Sequence, residues 1–157
     1  MKIIRFLDPS DKIRFAALGE EGSAPRIIEG DSNEWSITDV EAEIEKPLSP
    51  VDARLILGIG MNYQGHLKEM GRPTPEYPVL FMKSPSAVVG NGAPIILPRK
   101  LRSDKVDYEG ELAVIIGRVA RNVSRENALN YVLGYTCAND VSARDWQWEW
   151  NAGQFCR

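Results

Sequence analysis

A chain of 157 residues with 43 % hydrophobic and 26 % charged side chains has ordinary soluble globular composition, enough for one domain or a domain with a small appendage. The net charge of −3 and scattered basic residues argue against a nucleic-acid partner. No apolar run approaches membrane-spanning length, and "MKIIRFLDPSDK" meets Asp and Pro too early for a signal peptide. Cys137 and Cys156 form no metal or redox spacing and are too few for a disulfide scaffold, so a reducing cytoplasm is the expected setting.

The first fifty residues read as short strands, "KIIRFL", "IRFAALG" and "APRIIEG", separated by the turns "DPSD" and "EEGS". "EKPLSPVDA" is a Pro-bearing connector. It places a domain boundary near residue 50, with a small N-terminal β domain over 1–50 and a second domain over 51–157. Next, "RLILGIG" reads as an apolar strand that ends in Gly and runs into "MNYQGHLKEMG", a short helical turn closed by Gly71. "RPTPEYP" carries three prolines in seven residues and is expected to be a loop. "VLFMKS", "APIILP", "ELAVIIG" and "YVLGYTCAND" read as further strands. "SRENALNYVLG" predicts an amphipathic helix with Ser124 as N-cap and Ala128, Leu129 and Val132 facing inward. The predicted class is β-rich α+β. The last stretch, "NAGQFCR", stops with no turn or cap, which reads either as a fragment or as a frayed helix tail.

Acidic residues crowd "VDYEGELAVIIG". If the strand is continuous, Asp107, Glu109 and Glu111 point to one face, an arrangement that costs free energy unless positive charge sits there. A solvated strand end is one explanation. The other comes from "CANDVSARD", where Asp140 follows a second apolar strand. Hard divalent cations such as Mg²⁺, Mn²⁺ or Ca²⁺ want several carboxylate oxygens, and Glu109, Glu111 and Asp140 supply them from two neighbouring strand ends. Asp107 is expected to be solvated, or at most an outer acid.

His66 is the sole histidine and follows a Gly-rich strand-to-helix turn, with Glu69 three residues on. On a helix the two share a face, and a carboxylate beside an imidazole makes it a better base. An exposed helix contact of no chemical consequence accounts for the pair equally. Lys83 ends "VLFMKS", where it is either solvated or available to an anionic substrate. Trp146, Trp148 and Trp150 alternate in "DWQWEW"; helical spacing pairs Trp146 with Trp150, which suits packing or a subunit interface.

Taken in order, "ILGIGMNYQGHLKE", "VLFMKSPSAVVGNGAPIILP", "VDYEGELAVIIG" and "LGYTCANDVSARDWQ" resemble the fumarylacetoacetate hydrolase superfamily from about residue 54 to 157. The resemblance implies a rolled, mostly antiparallel sheet behind a small N-terminal domain, a homodimer, and a Mg²⁺ or Mn²⁺ site. Carried over residue by residue, it makes Glu109, Glu111 and Asp140 metal ligands and His66 with Glu69 a water-activating dyad. It also places Lys83, Arg144 and Gln147 along the substrate pocket. Family members continue past "GQFCR" into a G-K-S-F-D type motif, whereas this chain stops at Arg157, so the roll and the pocket are expected to be incomplete in it.

The implied reaction is metal-dependent hydrolysis of a C–C bond in a β-diketo or acylpyruvate-type acid, a small anionic substrate. Decarboxylation, isomerisation or hydration of a 2-oxo acid at the same site is the first alternative. A non-catalytic fragment of such an enzyme is the second.

Overall fold

In "KIIRFL" and "IRFAAL", apolar side chains recur on one side of an extended chain, and the two segments pair as the antiparallel strands β1 (Lys2–Leu7) and β2 (Ile13–Leu18). This computed structural model describes residues 1–31, 34–100 and 102–150. The turn between the two strands is built by Asp8. Its Oδ1 accepts hydrogen bonds from the Ser10 N–H (2.9 Å), the Ser10 hydroxyl (2.8 Å) and the Lys12 N–H (3.0 Å). Its Oδ2 accepts one from Arg14 Nε at 2.6 Å. Asp11 takes the left-handed conformation the reversal needs, with φ 59°. The Arg14 guanidinium, aided by these turn donors, holds the Asp8 carboxyl well below the usual carboxylate range.

β3 (Arg26–Asp31) pairs antiparallel with β2, and β4 (Glu34–Glu41) and β5 (Lys46–Pro47) complete a five-stranded sheet of order β4-β3-β2-β1-β5. The register sets Ile4 opposite Ala16 and Ala16 opposite Ile27, and these three stand with Phe6 on one face. Phe6 is wholly buried, with Ala42 and Ile44 packed against the cluster. β4 escaped the sequence pattern because its alternation is broken: Ile37 and Val40 are exposed, while Trp35 and Thr38, three apart, are partly covered.

Beyond the sheet, β6 (Ile56–Gly60) and β7 (Val79–Lys83) form an antiparallel pair in which Gly58 faces Phe81. A Cβ at Gly58 would overlap the Phe81 ring, so the close approach requires glycine. α1 (Gln64–Glu69) follows β6 and is seated by Leu67, its buried residue. It ends as the sequence predicts. Gly71, at φ 63°, donates to Lys68 O (3.1 Å) while Arg72 N donates to Leu67 O (2.9 Å), the paired bonds of a glycine-terminated helix. "RPTPEYP" is a loop, as expected.

Two short antiparallel ladders follow. β8 (Val106–Asp107) pairs with β11 (Ser142–Ala143), and β9 (Gly110–Ile116) pairs with β10 (Val132–Asn139). The chain continues from β11 into a π-helical turn over Asp145–Trp150. The fold is thus mostly β with few helices, matching the predicted class. By Cα proximity the chain forms two compact units, Met1–Ile28 with Ile37–Ala93, and Glu29–Ser36 with the chain from Pro94 onward. Among the described residues no helix is long and apolar enough to cross a membrane.

Two expected elements differ. "APIILP" forms no strand: prolines at 94 and 98 bracket three apolar residues, leaving too few N–H donors for a ladder, and Ile95, Ile96 and Leu97 are exposed. "SRENALNYVLG" is not an amphipathic α-helix. Arg125–Tyr131 winds as a 3₁₀ turn, Ala128 and Leu129 are exposed, and Val132 opens β10. The β-branched and aromatic residues at its end are claimed by the ladder with β9, which leaves too short a run for an α-helix. Ser124 does occupy the N-cap position, but its hydroxyl accepts from the Asn127 side chain (3.1 Å) instead of a backbone N–H. The expected Trp146–Trp150 pairing, "NAGQFCR" and Cys156 fall outside the described side chains.

Candidate functional site

The acidic stretch is not one strand. β8 ends at Asp107 and β9 begins at Gly110, and the two belong to different ladders. At the break, the Glu109 N–H donates to the Asn139 side-chain oxygen (3.1 Å) and Glu109 O accepts from Asp140 N (2.9 Å). The expectation that Asp107, Glu109 and Glu111 share one strand face therefore fails for Asp107. Glu109 and Glu111 keep the same parity along the chain. Glu111 pairs with Ala138, so the same register sets Glu109 opposite Asp140, and residues opposite one another point to the same face. Glu109, Glu111 and Asp140 thus line one face of the β9–β10 ribbon.

Asp107 is not merely solvated. Its Oδ2 lies 3.0 Å from Arg144 Nε, and Arg144 Nη1 lies 3.2 Å from Glu109 Oε1. The Arg144 side chain is only 13 % exposed. Its Nη1 also donates to Gln147 Oε1 (3.0 Å), and its guanidinium carbon sits 5.3 Å from the centre of the Trp148 ring. Backbone pairing supplies the placement: Asp107 faces Ser142 across β8–β11, and Arg144 N donates to Lys105 O (2.9 Å).

Three residues that sequence reasoning passed over brace this arrangement. Ser142 is buried and donates to Glu109 Oε1 at 2.7 Å. Asn139 receives the Glu109 N–H. Asp145, also buried, accepts from Ser103 Oγ (2.6 Å), Asp104 N (2.9 Å) and Trp146 N (2.9 Å), tying the chain before β8 to the π-helical turn. Burial pushes the Asp145 carboxyl up, but these donors outweigh it and leave the group below its ordinary value. The available signal was parity, since Ser142 stands two residues after Asp140 in "NDVS".

As a cation site the set fits by donor type. Glu109, Glu111 and Asp140 offer hard carboxylate oxygens on one face, and Asp140 Oδ1 is shut off from solvent. Among the described residues no three acidic, His or Cys side chains stand close enough together to hold a metal ion, and Glu109 Oε1 is turned to Arg144 and Ser142.

The remaining predicted residues lie in the other compact unit. α1 puts His66 and Glu69 on one helix face, as expected, with Nδ1 and Oε2 3.7 Å apart, an ion-pair distance beyond hydrogen-bond reach. Both are substantially exposed. Lys83 ends β7 opposite Ile56 and is half-buried.

The fold is mostly antiparallel β, with an acidic face and an enclosed arginine in one compact unit and a His–Glu helix turn in the other. The family model of the fumarylacetoacetate hydrolase C-terminal region matches residues 55–157, and the chain belongs to that family. A protein of Archaeoglobus fulgidus is 46 % identical over 134 residues, covering 85 % of this chain and 53 % of its own. An oxaloacetate tautomerase of Xenopus laevis, described as mitochondrial, is 38 % identical over 151 residues, covering 94 % of this chain and 46 % of its own. Among solved structures, a 5-carboxymethyl-2-hydroxymuconate delta-isomerase from Mycobacterium smegmatis superposes with a TM-score of 0.79 at 33 % identity. That match covers 94 % of this chain and 57 % of the isomerase. The chain spans about half the length of the curated relatives it matches.

Proposed function

We propose that the chain serves keto–enol chemistry on a small anionic 2-oxo acid, with tautomerisation or double-bond isomerisation as the reaction. The observation that carries the reading is the enclosed Arg144, held by acids beside a face of three carboxylates. A guanidinium so placed suits a substrate carboxylate, because its fork of donors matches two carboxylate oxygens. Glu109, Glu111 and Asp140 would hold Mg²⁺ or Mn²⁺, which when bound supplies a Lewis acid that favours the enolate over the ketone. Gln147 steadies the Arg144 fork. In the other compact unit, Lys83 would be the candidate for a second anionic group, and His66, with Glu69 3.7 Å from it on the same helix face, the candidate for proton transfer. The names of the Xenopus laevis and Mycobacterium smegmatis relatives support this choice of reaction.

A second reading, hydrolysis of a C–C bond in an acylpyruvate-type acid, is favoured by the His66–Glu69 pair, which suits activation of a water. A panel of oxaloacetate, acylpyruvates and hydroxymuconate-type acids, assayed with Mg²⁺ on the full-length protein, separates the two. Enol-to-keto conversion without new acid products is expected, and Asp140→Ala should slow it by about a hundredfold or more. Release of two acids from an acylpyruvate, with no tautomerisation of oxaloacetate, would establish hydrolysis instead. Unchanged turnover in Asp140→Ala would remove the metal assignment.

A further inference from the structure

We propose that Asp107 is a positioning residue: it holds Arg144 so that the guanidinium can let go of Glu109 when a divalent cation takes that carboxylate. The inference rests on the cation-site reading above.

Among the described residues, Arg144 has the acidic neighbours Asp107 at Nε (3.0 Å) and Glu109 at Nη1 (3.2 Å). Glu109 Oε1 already accepts the Ser142 hydroxyl at 2.7 Å, so this one oxygen serves two donors before any ion arrives. A divalent cation held by Glu109 would repel a guanidinium at that distance, so Arg144 would have to withdraw. An arginine 13 % exposed cannot do so cheaply unless another charge still compensates it. Asp107 is that charge. It reaches Nε rather than Nη1, so its grip survives the loss of Glu109. The backbone pairing of β8 with β11 and the Arg144 N–H to Lys105 O keep the two side chains on facing segments throughout. Nη1, relieved of Glu109, is then available to a substrate carboxylate.

Without Asp107, Arg144 is left to Glu109 and competes harder with the ion. A simple loss of negative charge near the site would also weaken cation binding, but it would do so whether or not Arg144 is present. A double-mutant cycle read by Mn²⁺ binding separates the two. Mn²⁺ is titrated into the full-length protein without substrate, and free ion is followed by electron paramagnetic resonance. Asp107→Asn should weaken Mn²⁺ binding about three- to tenfold, and Arg144→Gln should strengthen it. In the Arg144→Gln background, Asp107→Asn should change the affinity by less than about twofold. Asp107→Glu, which keeps the charge, should stay near wild type. An equal effect of Asp107→Asn in both backgrounds, or no effect in either, overturns the positioning role while leaving the metal site standing. A wild-type protein that binds no Mn²⁺ overturns the metal-site reading and this inference with it. Should Asp107→Asn fail to fold, the Asp107→Glu variant decides: a loss of affinity there, in a protein of unchanged melting temperature, also overturns the inference.

Discussion

In the N-terminal sheet, the side chains that meet across β1, β2 and β3 are Ile4, Ala16 and Ile27, closed over by a fully buried Phe6. In the β9–β10 ribbon, one face instead carries Glu109, Glu111 and Asp140, while Leu112, Val114, Ile116 and Tyr135 on the opposite face are exposed. Both are antiparallel ladders with good register, yet different forces fix their side chains. The sheet is held by removal of apolar surface from water, which is non-directional and tolerant of chemistry but not of volume. The mouth of the ribbon is held by directional bonds to charged groups, in which the identity of each donor counts. A region of the second kind suits a site, because its interactions can be exchanged for those of a ligand.

The contrast is broken most severely by Phe6→Ala. Emptying this fully buried large side chain should cost about 3–5 kcal/mol in chemical denaturation. Mn²⁺ affinity, measured below the denaturation midpoint, should stay unchanged if the acidic face is organised locally.

Acid provides the next test. The folded-state pKa of Asp8 lies below its ordinary 3.8, chiefly through Arg14 and then the Lys12 and Ser10 donors. A carboxyl lowered by folding stabilises fully above its unfolded value and loses that contribution as pH falls through the lowered folded one. The melting temperature should therefore drop between pH ~5 and pH ~2, and Asp8→Asn should flatten the drop while lowering the plateau. Asp145 is displaced in the same direction, against its own burial, by Ser103 and the Asp104 and Trp146 amides, so Asp145→Asn should flatten the same acid limb. A variant pair with the wild-type slope would show that neither carboxylate is held as the structure has it.

What was legible beforehand follows the same division. The strands with apolar periodicity, β1, β2, β3, β6, β7, β9 and β10, could be read from their residues, and so could the Gly71 stop of α1. β4 could not, because an edge strand needs no alternation once its sides are mostly in water. β5, β8 and β11 are two residues long and exist because of their partners. "APIILP" shows the reverse error, since apolar content alone does not supply N–H donors between two prolines. In the site, the acids and the His66–Glu69 spacing were visible. The Asp107–Arg144 pair was not, because it joins residues 37 apart through a ladder too short to be seen in sequence.

The smallest expected effect sharpens the comparison. Ser142 is buried as deeply as the N-terminal core, yet its contribution is a hydroxyl given to Glu109 Oε1 at 2.7 Å, with Asp140 O a further 3.3 Å acceptor. Ser142→Ala removes one oxygen and leaves no large void. It also leaves Glu109 with Arg144 at 3.2 Å, and Glu109 is exposed enough for water to take the vacant position. The loss should therefore be about 1 kcal/mol in chemical denaturation, several-fold below Phe6→Ala despite similar burial. The same variant frees a lone pair on the proposed ligand, so its Mn²⁺ affinity should rise or hold rather than fall. A stability loss as large as that of Phe6→Ala would mean that the ribbon mouth is part of the folding core, and the distinction between the two regions would collapse.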